Sequence, residues 1–209
     1  MQPKSKNRAK TQAKLISAVG EVLAEQGFAG LGVNAVAKHA GVDKVLIYRY
    51  FGNFDDLCLA YARSQDFWPS IEEIIPDEHL FLQLSLAERL SFFGHGYLKA
   101  LRKRTLTLEA LAWETVQRNS FTAELETVRE EFGLRSTELM SKNLAADDLS
   151  GEIDAAAVGA IFSGWCHYLL VRSRKIRWFN GIDISSDEGW ARLEATFEKM
   201  VKNLSRNKQ

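Results

Sequence analysis

Lys44, Val45, Tyr48 and Arg49 fall within six consecutive positions of AGVDKVLIYRYF, residues 40–51. Their side chains suit the surface of a nucleic-acid duplex. A lysine donates to a guanine edge or a phosphate, and an aliphatic group meets a thymine methyl. A phenol bonds to the backbone or packs on sugar and base, and a guanidinium takes phosphate or guanine. Wound at about 100° per residue, the four share an arc of about 140°. Leu46, Ile47, Tyr50 and Phe51 occupy the rest, so one face can seat on neighbouring helices while the other enters a major groove. Tyr50 beside Arg49, and Lys10 and Lys14 upstream, complete the candidate DNA-binding set.

Such a helix reads DNA only if other elements hold it out from the protein. The spacing predicts a helix over about 10–26 with the apolar stripe Leu15, Val19, Val22 and Leu23, stopped by Gly27. A short helix over about 33–39 follows, then a turn at 40–42, where Gly41 permits a positive φ. Asp43 caps the next helix through its carboxylate, and that helix runs to about Phe51. This is the layout of a helix-turn-helix. Asp55 and Asp56 open a fourth helix over 54–67 that ends before Pro69.

The charge distribution supports the same reading. Lysines and arginines balance acids at 27 each over the whole chain, yet residues 1–52 hold eight of the cations against three acids. That end can attract a polyanion.

Beyond residue 52, helical periodicity predicts helices over about 77–101, 104–117, 121–144, 152–175 and 186–204, with a loop at 176–185 and no convincing strand. The fold class expected is all-α. A helix-turn-helix domain with a basic arm occupies 1–52, and a larger helical bundle occupies 53–209.

Other functions find little support. The four histidines (39, 79, 95 and 167) make no metal-binding spacing, and there is no GxSxG elbow, Gly-rich phosphate loop or well-spaced carboxylate pair. No enzyme activity, metal or cofactor is expected. Cys58 and Cys166 form no CxxC pair and read as buried small hydrophobes of a reducing compartment. No apolar run approaches a membrane span and the basic start lacks an apolar signal core, so the expected location is the cytoplasm, with no membrane partner.

Residues 15–57 resemble the DNA-binding segment of the TetR family of bacterial transcriptional regulators. The resemblance rests on Gly27-Phe28, Val36-Ala37, Ala40-Gly41-Val42, Ile47-Tyr48 and Phe51, in order and spacing. Three departures accompany it: Gly32 where a Ser or Thr cap is common, Val45-Leu46 where Gly-Thr is common, and Phe54 where many relatives have lysine. Arg8, Lys10 and Lys14 can compensate with phosphate contacts.

The resemblance implies a homodimer through the last two helices, reading the two half-sites of a palindromic double-stranded operator. Small residues of the penultimate helix (Ala155–Ala157, Gly159, Ala160, Gly164) and a stripe through Trp190, Leu193, Phe197, Met200 and Leu204 suit that pairing. It also implies an effector chamber among the middle helices. Phe92, Phe93, Tyr97, Trp113, Phe162, Trp165 and Tyr168 are the candidate lining, with Phe121 in the wider aromatic set. Their composition favours a small apolar or aromatic effector. Ligand entry would then reposition the fourth helix and release the operator, which makes the protein a repressor. The alternatives are an activator, or a dimeric ligand-binding or interaction module with a weakened DNA head.

Overall fold

The computed structural model of the chain describes residues 3–64, 67–116, 118–144 and 154–206. It is built from helices joined by short turns. Its contacts group into two units, Met1–Trp68 with Glu109–Arg129, and Pro69–Leu108 with Glu130–Gln209. This grouping differs from a boundary at residue 52, because the first unit also takes in the segment around Trp113 and Phe121.

In the first unit, α1 spans Pro3–Gln26, α2 Val33–Ala40, α3 Val45–Phe51 and α4 Phe54–Ala62. α1 packs on α2 and α4, and α3 packs on α4. Leu15, Ala18, Val19, Val22 and Leu23 are buried along one face of α1, as the three- and four-residue spacing requires. Gly20 lies on the same helix against Tyr61 of α4. A methyl group there would come within 2.7 Å of the Tyr61 hydroxyl. Phe28, held in a 3-10 turn over Phe28–Gly30, inserts its ring between Trp113 and Phe121, with centroids at 5.9 and 5.5 Å. Phe67 stands edge-on to Phe121 at 5.3 Å and meets Tyr61 at 5.1 Å.

The chain continues through the short helices α5 (Ile71–Ile74) and α6 (Glu78–Phe81), then α7 (Leu86–Arg102), α8 (Thr105–Glu114), α9 (Ser120–Ser141), α10 (Ala155–Ser173) and α11 (Asp187–Arg206). The division between the units passes within α8 and α9. In the second unit, the start of α7 is a capping box. The Glu88 amide donates to the Ser85 hydroxyl, and the Glu88 carboxylate accepts the Ser85 N–H at 2.9 Å. The Ser85 hydroxyl also donates to the Glu88 carboxylate at 2.7 Å, and that bond, with the one from the Ser85 N–H, holds the Glu88 carboxyl below its ordinary range. α7 and α11 run antiparallel, with Arg102 paired to Asp187 at one end and His95 to Glu194 further along.

Arg89 is buried in this unit, 1% exposed. Its guanidinium donates to the carbonyls of Leu84 (2.9 Å), Leu139 (3.2 Å), Met140 (3.1 Å) and Lys142 (2.7 Å), and to that of Leu82. One cation thereby closes the C-terminal end of α9, where carbonyls have no helical partner and the helix dipole is negative.

Four boundaries differ from the sequence expectation. α1 begins at Pro3 rather than near residue 10, because nothing between the two breaks a helix and proline is tolerated in a first turn. α4 stops at Ala62, not residue 67. The helix expected over 77–101 is split into α6 and α7, since Ser85 caps a fresh start. The expected loop at 176–185 contains a β-hairpin, β1 (Trp178–Phe179) with β2 (Ile182–Asp183), turned by Asn180 at φ 48° and Gly181 at φ 74°. Asn-Gly at the turn is a hairpin signal that the surrounding helical periodicity masked. The side chains of Ala155 and Leu204 and the helix start expected near residue 152 lie outside the described residues.

Candidate nucleic-acid interface

The turn between α2 and α3 is made by backbone bonds that close the end of α2. The Val42 N–H reaches the Ala37 carbonyl at 3.1 Å and the Gly41 N–H reaches that of Lys38 at 3.2 Å, with Gly41 at φ 65°, ψ 35°. This is a Schellman closure, and it needs a left-handed residue. Gly41→Val should therefore lower the stability of the first unit by about 1–2 kcal/mol, the cost of forcing an L-residue into that region; a thermal melt followed by circular dichroism reads the loss.

Asp43 then accepts the Val45 N–H at 2.8 Å, capping α3 as expected. Gly32, at the start of α2, makes no side-chain cap bond. At the far end of α3, Asn53 caps α4 by accepting the Asp56 N–H at 2.7 Å. The recognition candidate is thus a helix of seven residues gripped at both ends by its turns.

Its faces are sharply divided. Ile47 is 0% exposed, whereas Val45 and Tyr48 are 55% and 51% exposed. Lys44 and Arg49 are exposed on the same side. The structure thus brings together four of the sequence-derived contacts. Tyr50 is turned elsewhere: half-buried, it lies under the guanidinium of Arg8 from α1, 5.4 Å from the ring centroid. Lys10 and Lys14 are exposed one turn apart on α1. The interface can donate hydrogen bonds, supply positive charge and present one aliphatic contact, which is the chemistry of groove and phosphate recognition.

Four of the aromatic candidates for an effector chamber are linked in the second unit, where Tyr97 joins Phe93 to Phe162 (6.3 Å) and so to Trp165. In the second unit Phe93, Tyr97 and Phe132 stack, with Phe93 5.8 Å and Phe132 5.5 Å from Tyr97. Tyr97 is buried, and its hydroxyl lies 2.7 Å from His167 Nε2. Phe162 meets Trp165 edge-on at 5.3 Å and Phe197 at 4.7 Å. A cleft of about 710 Å³ along α7 is lined by Phe92, Phe162 and Trp165, but not by Phe93, Tyr97 or Tyr168. Tyr168 stands against Phe179 of the hairpin and is 52% exposed. Trp113 belongs to the first unit, where its ring meets that of Phe28.

Other chemistry has little to work with. Among the described residues no group of three or more His, Cys, Asp or Glu could hold a metal ion, and no helix is long and apolar enough to cross a membrane. Burial, reinforced by the charges of Asp55 and Glu124, pushes the Cys58 thiol up to about 12. Burial likewise raises that of Cys166. Both thiols therefore stay protonated and shielded. An aromatic disulfide reagent at pH 8 should find neither in the native protein and both after denaturation. Because the native thiols hold their protons where unfolded ones release them, their contribution to stability should decline as pH rises from about 9 toward 12.

A family model described as bacterial regulatory proteins, tetR family, matches residues 15–61. The transcriptional regulator AcuR of Cereibacter sphaeroides is 30% identical over 159 residues, covering 72% of this chain and 71% of that protein. Two solved structures share the fold. The fatty acid degradation regulator FadR from Bacillus halodurans gives a TM-score of 0.61 at 17% identity, over 91% of this chain and 94% of that one. FadR from Bacillus subtilis, solved in complex with stearoyl-CoA, gives 0.62 at 16% identity, over 90% and 96%.

Proposed function

Because this chain belongs to the TetR family of bacterial regulatory proteins, we propose that it is a dimeric transcriptional repressor that binds a palindromic operator through α3 and leaves it when an effector binds. The observation that carries this reading is the division of α3, with Ile47 sealed in the core while Lys44, Val45, Tyr48 and Arg49 stand exposed together. Lys10 and Lys14, with Arg8, contribute phosphate contacts. The protein is a regulator and not an enzyme.

A head of this size covers too few base pairs to be selective alone, and a two-fold dimer reading half-sites about 34 Å apart, or a multiple of that, supplies the selectivity. The last two helices form the dimer contact. Ile161 on α10 and Met200 on α11 are 70% and 61% exposed, an arrangement that favours a partner surface. The effector is small and apolar or aromatic, and it binds among the aromatic residues of the effector-binding domain. Its coupling to DNA is a difference in affinity between two states, typically about 1–3 kcal/mol.

The test is affinity selection of sheared genomic DNA from the source organism on the purified full chain, washed at about 0.15 M salt. Recovery of a few fragments sharing a palindrome supports the reading and gives the half-site spacing. Uniform weak recovery would mean a basic surface without sequence readout, and the repressor reading would fall.

A further inference from the structure

The cleft of about 710 Å³ in the second unit has a volume within the usual range for small-molecule sites. It is lined by residues of α7, α10 and α11, and its wall residue Phe162 also meets the ring of Tyr97, at 6.3 Å. Its apolar wall is made by Phe92, Phe162, Trp165 and Phe197. Gly94 keeps that wall tight against α7, because a methyl group there would stand 3.1 Å from Phe162 and 3.2 Å from Phe197.

The polar residues of the cleft are not balanced. Each carboxylate that lines it already has a basic partner: Glu73 has Arg104, Glu194 has His95, and Glu198 has Lys202. Lys99 and Lys103, one turn apart near the end of α7, also line it, and among the described residues neither is ion-paired. The dipole of α7 offsets about half a charge at that end. The two lysines therefore leave a net positive charge of about one and a half, or about half a charge where Glu194 faces a neutral His95.

We propose that this cleft binds an amphiphilic carboxylate, with the head at Lys99 and Lys103 and the apolar body along Phe92, Phe162 and Trp165. This rests on the regulator reading above and narrows its effector, giving the apolar molecule proposed there a site and an anionic head. From Lys99 to Phe92 the helix rises about 10 Å, the reach of a medium-length acyl chain. A neutral apolar molecule would leave the lysines unused, and a cation would be repelled by them.

The experiment is calorimetric titration of the full chain with octanoate, 1-octanol and octylamine, repeated on the double variant Lys99→Gln/Lys103→Gln. Octanoate should bind the unaltered protein more tightly than the other two probes. The variant should lose about tenfold in octanoate affinity, the worth of two partly exposed charge contacts, with its weak affinity for octanol unchanged. Absence of octanoate binding, or equal affinity in the variant, overturns the proposal. So does a Phe92→Asp protein that turns monomeric in size-exclusion chromatography while octanoate fails to bind the original, since the cleft would then be covered by a second copy. None of these readouts needs DNA. Octanoate that binds without releasing a selected operator would leave the site standing and remove its effector role, whereas failure of the regulator reading appears separately, as the absence of any selected operator.

Discussion

Arg89→Met should lower the stability of the protein by about 3–5 kcal/mol and its apparent melting temperature by about 10 °C, at the 2–4 °C per kcal/mol typical of this chain length. Methionine fills much of the same space but donates nothing. The carbonyls of Leu84, Leu139, Met140 and Lys142 would lose their charged donor, in a place where the guanidinium is almost wholly shielded from water. Arg89→Lys should fall between the two proteins, since an ammonium keeps the charge but cannot span acceptors on both the α7 entry and the α9 exit. Thermal melts of the three proteins decide it. A shift under about 2 °C for the methionine variant would show that water or the displaced backbone replaces the network at little cost.

Arg49→Ala and Tyr48→Ala should each weaken binding to a selected operator by about tenfold to a hundredfold, the worth of a lost base or backbone contact of 1–3 kcal/mol. Both side chains are exposed on α3, outside the buried face that carries Ile47. Helix content and the dimer should therefore be unaltered by circular dichroism and size exclusion. Lys14→Ala offers the contrast. A phosphate contact carries no sequence information, so its loss should weaken specific and non-specific binding alike and reduce the slope of log affinity against log salt by about 1. If the Arg49 and Tyr48 variants both bind as the original does, α3 is not the reading element.

Membership of the family and the division of α3 were both legible in the sequence. The motif from Gly27-Phe28 to Phe51 is a local pattern, and the capping by Asp43 and closure at Gly41 depend on residues two to five positions apart. The departure at Gly32 was equally legible, and the structure has no side-chain cap there. Tyr50 was harder to place. It lies under Arg8, which belongs to a different helix and approaches it only once α1 and α3 have both packed on α4.

Arg89 went unnoticed for the same reason. In LAERLSFF it resembles any cation on an amphipathic helix, and two of its acceptors lie fifty and fifty-one residues further on. The aromatic residues of the middle helices were recognisable as a class, but not by partner. Phe121 and Trp113 close around Phe28, Phe93 stacks with Tyr97, and Phe162 pairs with Trp165 and Phe197. By itself the sequence determined which face of each helix is apolar and where most helices start and stop, because periodicity and caps act over a few residues. Only the tertiary structure decided which apolar face meets which. That choice depends on shape and on contacts between residues far apart in the chain, and ring identity alone does not encode it.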